Sequence, residues 1–223
     1  NESSLLGRPW LIPEVWAAWP TIAPQRSTLM VDTWQKLGYK VAVLVNPPHS
    51  EKDIPNADKV LIQDVWTGFP TAANLLCHQT PGHVVVLVGD DVFPDPDHTA
   101  EELGQSFLKV FPDTFGVIQP IGDEYGWTHK CAVSPWIGRK FIKEAYGGKG
   151  PYREEYWHYF SDQELQEYAA SQGVFMQFEG VTQFHDHWER RKETRPQHLM
   201  KALDRHKKDK ETFNNREQAG WPK

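Results

Sequence analysis

Two adjacent carboxylates, Asp90 and Asp91, directly follow Gly89 at the end of the most apolar run in the sequence, Val84-Val85-Val86-Leu87-Val88. Side by side next to a buried strand they repel one another unless donors or a cation are present, and a divalent ion bridging phosphate oxygens is a recurrent solution. A solvated turn suits the same pair, since Asp is common at strand ends and Val92-Phe93-Pro94-Asp95-Pro96 is a loop. His185 and His187 are one residue apart. On extended backbone both imidazoles face one way and can share a ligand, and imidazole with carboxylate suits a first-row divalent cation; local packing beside Trp188 is the plainer explanation. A third candidate is Asp162, at the start of an acidic helical segment and preceded by Trp157-His158-Tyr159-Phe160. A carboxylate held there in a partly dry pocket can act as a general base. Ser161 and Glu164 also have capping-box spacing, which by itself explains acidic residues at a helix start.

The elements that must carry these groups alternate in type. Val15 to Pro20 reads as a first strand, Arg26 to Leu37 as a helix ended by Gly38, Val41 to Val45 as a second strand, Val60 to Ile62 as a third, and Thr71 to His78 as a helix after Pro70. Val84 to Val88, apolar throughout, suits a strand covered on both faces and central in the sheet. Thr99 and Glu102 form a capping box for a helix whose buried side is Leu103, Phe107 and Val110. Further strands are expected at Phe115 to Gln119, Lys130 to Val133 and Val174 to Phe178, with a glycine-containing loop over Gly147 to Pro151 and a helix over Ser161 to Ser171. The pattern predicts an α/β fold with a largely parallel sheet, in which ligands gather at the C-terminal ends of strands.

Composition narrows the function. The chain has 223 residues, 39% of them hydrophobic and 24% charged, with a formal net charge of −6. That is one sizeable domain, and no apolar run approaches the roughly 18 residues of a membrane span. Two cysteines, Cys77 and Cys131, cannot build a disulfide framework or a cysteine-rich zinc site, and no His-Glu-x-x-His is present. A reducing, cytoplasmic setting is the resulting expectation. The first residues, Asn1 to Leu6, read as a trimmed end. From 189 to 223 there are 11 Lys and Arg against 6 Asp and Glu, leaving 13 basic and 24 acidic residues before them. We therefore expect a domain over 7–188 and a basic, helical tail over 189–223, which suits either a solvated helix or a polyanion.

The order of these pieces, from about Val15 to Trp188, resembles the nucleotide-sugar-dependent glycosyltransferases of the GT-A fold, especially family 2. Gly89-Asp90-Asp91 looks like that family's Asp-x-Asp motif with Gly in the first place. Ser161-Asp162 looks like its Glu-Asp motif with Ser in place of Glu. A late histidine corresponds to His185 or His187. The resemblance implies a GT-A (Rossmann-like) single domain and an enzyme that binds a UDP-sugar through Pro20, Thr21, Arg26, Asp90 and Asp91. It further implies Mn2+ or Mg2+ on Asp91 with His185 or His187, and Asp162 as the base of an inverting transfer. Trp157, His158 and Glu164 are the expected acceptor contacts. The acceptor hydroxyl implied is that of a saccharide, a protein, a small molecule or, as in small phage-type enzymes acting in the host cytoplasm, a hydroxymethylated base in DNA. A retaining transferase shares the acidic pair, so stereochemistry rests on Asp162. A nucleotidyltransferase lacks its usual glycine-rich phosphate loop here. A catalytically weak nucleotide-sugar- or glycan-binding module is the non-enzyme alternative.

Overall fold

The computed structural model describes residues 12–123 and 127–221. Residues 7–11 of the expected domain, and the end at Asn1 to Leu6, lie outside the described residues. The elements run β1 (Val15–Pro20), α1 (Pro24–Lys36), β2 (Lys40–Val45), β3 (Lys59–Ile62), α2 (Phe69–Gln79), β4 (Val84–Leu87), β5 (Val92–Phe93), α3 (Ala100–Val110), β6 (Val117–Pro120), β7 (Trp136–Gly138), α4 (Arg139–Glu144), α5 (Ser161–Ser171), β8 (Phe175–Phe178), β9 (Phe184–His185) and α6 (Gln197–Gln218). A sheet of seven strands has the order β3-β2-β1-β4-β7-β6-β8, and β5 with β9 forms a separate two-stranded ribbon. Pairing is parallel from β3 to β4 and again between β6 and β8; β7 alone runs antiparallel to both neighbours. The run at Val84 is central, as expected, with all four strand residues buried.

Alternation along the strands builds two cores. Val15, Ala17, Trp19, Val84 and Val86 point to one side, where Met30 and Trp34 of α1 and Phe107 of α3 cover them. Trp16, Ala18, Val85 and Leu87 point to the other, under Leu76 of α2, Phe141 of α4 and Leu165 and Tyr168 of α5. A period of two on strands that are buried on both faces dictates this split. The Thr99–Glu102 box forms as expected, with the Glu102 amide donating to Thr99 Oγ1 (3.3 Å) and the Thr99 amide to Glu102 Oε2 (2.7 Å).

Val110, expected on the buried side of α3, is exposed at the end of that helix, and two further local expectations fail for identifiable reasons. Lys130 to Val133 is a turn, because the amides of Lys130 and Cys131 both donate back to the Trp127 carbonyl; the sheet position is taken by Trp136–Gly138 instead. Cys131 and Ala132 are buried by packing rather than by pairing. At α5 the cap is Phe160, with φ 66° in the left-handed region, and no side chain caps the helix. Ser161 Oγ donates to the His158 carbonyl, and Glu164 is engaged by α6.

Buried indoles fix the ribbon. Trp34 Nε1 donates to the Val92 carbonyl at 3.2 Å, and Trp136 Nε1 donates to Gln183 Oε1 just before β9. An indole N–H that is buried needs such an acceptor, so two indoles of one core hold β5 and the approach to β9 in place. Asp95, 5% exposed, completes the tie by accepting the Thr182 amide at 2.6 Å.

Candidate active site

The two-stranded ribbon is the device that joins residues far apart in sequence. Its register sets Val92 opposite His185, which brings Asp91 to the late histidines. Asp91 Oδ1 lies 3.2 Å from His185 Nε2, the Asp186 amide donates to the Asp91 carbonyl at 2.7 Å, and the His185 and His187 rings are 5.1 Å apart. Burial pushes the Asp91 carboxyl up, yet the His185 hydrogen bond and the charges of His185, Arg26 and His187 together hold it below the ordinary carboxylate range. Burial and the neighbouring His185 hold the His187 imidazole below its usual value.

Asp90 faces the end of β1. Thr21, 4% exposed and one residue past Pro20, donates through Oγ1 to Asp90 Oδ2 at 2.7 Å while that hydroxyl oxygen accepts the Ala23 amide at 2.9 Å. Arg26 on α1 reaches the same region. Its Nη2 donates to the carbonyl and carboxylate of Asp186, each at 3.2 Å, and Arg191 also binds the Asp186 carboxylate, at 2.9 Å. Pro20, Thr21, Arg26, Asp90, Asp91, His185 and His187 therefore collect at the C-terminal ends of β1 and β4, where open α/β sheets place their ligands.

A cleft of about 930 Å³ opens beside this cluster. Its walls include His185, His187 and Trp188 from one side, His158, Tyr159, Phe160 and Asp162 from another, and Trp127, His129 and Lys130 from a third, with Arg195, Leu199 and His206 from the segment ending in α6. Asp162 and His185 thus line one space, and Asp91 reaches it only through its contact with His185. Burial, and then the negative charge of Asp162 together with a hydrogen bond to it, push the Cys131 thiol up, so Cys131 is a neutral neighbour of that carboxylate.

Two expected acceptor residues do not belong to the cleft. Glu164 is 1% exposed and accepts Arg216 through Nε (2.9 and 2.8 Å) and Nη2 (2.6 Å), with Tyr156 Oη donating at 2.5 Å. A carboxylate committed to an ion pair in the core has no face left for an acceptor. Trp157 is absent from the cleft wall; its ring lies under the Arg205 guanidinium (5.1 Å) and its carbonyl accepts the Phe69 amide. His158 does line the cleft.

Structure also adds residues that the motif reading passed over. Asp123, 5% exposed, accepts the His185 amide at 2.9 Å and is paired with Arg190, so it holds the histidine strand from the side opposite β5. It comes after β6 as Asp90 comes after β4, a signal the sequence did carry. Asp209 of α6, 1% exposed, accepts three successive amides, from Trp157, His158 and Tyr159. Among the described residues no three His, Cys, Asp or Glu side chains are placed to hold a metal ion by themselves.

No protein-family model and no curated protein matches the sequence. Solved structures do match. The chain superposes on the mannosyltransferase PcManGT of Pyrobaculum calidifontis, solved with GDP-Man and Mn2+, with a TM-score of 0.58 and 13% identity over 77% of this chain. The chain has the GT-A fold. The same architecture is found in S. aureus TarS, with a TM-score of 0.57 and 12% identity over 75% of this chain, and in TarS 1-349 with UDP-GlcNAc, at 0.55 and 12% over 77%. This GT-A chain spans 56% of the mannosyltransferase and 35% of TarS. No helix among its described residues is long and apolar enough to cross a membrane.

Proposed function

We propose that the protein is a nucleotide-sugar-dependent glycosyltransferase that inverts the anomeric centre, with Asp162 as its base. One observation carries the reading: a single cleft is bounded on one side by Asp162 and on another by His185, which is itself hydrogen-bonded to Asp91. The GT-A fold supports it, as do the nucleotide sugars, GDP-Man and UDP-GlcNAc, in the matched structures. In the reaction the acceptor hydroxyl oxygen attacks the anomeric carbon, the bond from that carbon to the diphosphate oxygen breaks, and the nucleoside diphosphate leaves with the electron pair. Asp162 takes the hydroxyl proton. Thr21, Arg26 and Asp90 are the proposed contacts of the nucleotide half.

A carboxylate oxygen and an imidazole nitrogen facing each other at 3.2 Å are a donor pair suited to Mn2+ or Mg2+, with His187 adjacent. Asp91 and His185 would hold such a cation, whose positive charge would offset the charge of a departing diphosphate. For the acceptor, the cleft sets the rings of Trp127, Tyr159, Phe160 and Trp188 beside Lys130 and Arg195. Flat apolar faces next to cations fit a hydroxymethylated base in a polynucleotide strand. The decisive experiment incubates the protein with UDP- and GDP-sugars, with and without Mn2+, and reads thermal protection and sugar release. Protection by one donor only when Mn2+ is present is the expected result; no protection and no hydrolysis with any donor refutes the reading. Transfer to a saccharide or peptide hydroxyl that is indifferent to salt would refute the polynucleotide acceptor while leaving the transferase.

A further inference from the structure

Asp209 is a carboxylate on a helix rich in surface charge, yet only 1% of it is exposed. Its Oδ1 accepts the Trp157 amide at 2.9 Å, and its Oδ2 accepts those of His158 and Tyr159, both at 3.0 Å. Three consecutive amides converging on one carboxylate form an anion-binding concavity filled from within the chain. Charge-assisted bonds of this kind are stronger than neutral ones. The segment is clamped on its other side as well. The Phe69 amide donates to the Trp157 carbonyl at 2.8 Å, and a Cβ at Gly68 would lie 2.6 Å from that same oxygen.

The candidate base lies directly beyond this clamp in the chain. Phe160 takes the left-handed conformation, φ 66° and ψ −8°, and α5 begins at Ser161 with Asp162 in its first turn. A non-glycine residue holds such a conformation only when its surroundings over-determine it. Here they do, since α6 packs His206 against the Tyr159 and Phe160 rings (4.9 and 5.3 Å) and Phe213 against Phe160 (5.5 Å). The backbone direction at 157–160 therefore decides where the Asp162 carboxylate enters the cleft.

We propose that Asp209 is a positioning residue for Asp162, and that α6 is thereby part of the catalytic apparatus rather than an appendage that only meets the acceptor, a role that rests on the glycosyltransferase reading. Asp209 touches no reacting group; it acts through the backbone it holds.

The test uses the full chain with Asp209→Asn and Asp209→Gly. Asn keeps the volume and one acceptor oxygen, so it serves if the Gly variant does not fold. Misplacement of a reacting group by about 1 Å costs on the order of a hundredfold, so kcat should fall by about ten- to a hundredfold with donor KM within about twofold. Amide exchange at 157–160 should rise. Formate, small enough to occupy the vacated concavity, should restore part of the kcat of Asp209→Gly and none of that of Asp162→Asn. A merely structural tie predicts a lower Tm with kcat unchanged and no response to formate, and that result overturns the proposal. If wild-type protein neither transfers nor hydrolyses any nucleotide sugar, the glycosyltransferase reading fails and takes this inference with it. If wild type is active and Asp209→Asn keeps full kcat, this inference fails alone.

Discussion

Replacing Arg216 with Ala should be among the most destabilising single changes available in α6. Arg216 is 12% exposed at its side chain and Glu164 1%, and the pair is joined by three contacts of 2.6–2.9 Å. Removing the arginine strands a carboxylate in the core with Tyr156 Oη as its remaining partner in this contact set. Breaking a buried pair by deleting one member costs about 3–5 kcal/mol, far above the worth of a surface pair. For a chain of this size each kcal/mol lowers Tm by about 2–4 °C, so the expected drop is roughly 6–20 °C. The same principle predicts the rescue. Glu164→Leu with Arg216→Met and Tyr156→Phe removes both charges and the Tyr156 hydroxyl together, and this triple variant should be more stable than Arg216→Ala alone. Denaturant unfolding of the single and triple variants provides the measurement. An Arg216→Ala variant within about 1 kcal/mol of wild type would show that the pair is no more than a surface contact, and that α6 is not docked through it.

Three other perturbations address the site and its scaffold. Asp162→Asn should lower turnover by about two to four orders of magnitude with donor protection retained; equal turnover would remove Asp162 as the base. His185→Ala should raise the Mn2+ concentration needed for half-maximal activity, because it deletes the imidazole that faces Asp91 at 3.2 Å; a loss of activity independent of metal would assign His185 to packing alone. Asp95 tests the tie between ribbon and sheet. Burial raises its carboxyl, but the amides of Thr182 and Asp97 and the bond and charge of His98 together hold it below the ordinary range. With the folded value depressed, its stabilisation is complete above the unfolded value of about 4 and is lost as pH falls through the lower folded value. The stability gap between wild type and Asp95→Asn should therefore shrink on acidification below about pH 4, and a gap that stayed constant would rule out this role.

The parts of the molecule that were legible in the sequence are those governed by local pattern. The central strand announced itself by an unbroken apolar run, α3 by its capping box, and α5 by its acidic start, and each is found where its residues predict. The acidic pair after β4 was legible for the same reason, because strand ends in this topology point at ligands. One failure is a local turn and the other is tertiary. Lys130 to Val133 has strand-like composition, but its amides are captured by the Trp127 carbonyl. The Ser161–Glu164 spacing is that of a cap, yet an arginine 52 positions further on, Arg216, outcompetes the Ser161 backbone for the glutamate. Spacing rules compare a residue with its neighbours and are blind to such competitors.

α6 shows most clearly why composition was insufficient. Counted as charge, 189–223 is a basic stretch that reverses the sign of the chain before it, and most of its Lys and Arg side chains are exposed. Within α6 two charges of opposite sign are turned inward onto the rest of the protein, Asp209 on the 157–159 amides and Arg216 on Glu164. They lie seven positions apart, two turns of helix, and so share one face. His206 and Phe213 have the same seven-residue separation and pack on Phe160. The inward face of α6 is thus a repeating stripe in which ionic and aromatic residues replace the aliphatic residues that usually mark a buried seam. Hydrophobic periodicity does not register such a stripe, so the stretch reads as a solvated tail although the helix buries an acid and an arginine beside the candidate active site.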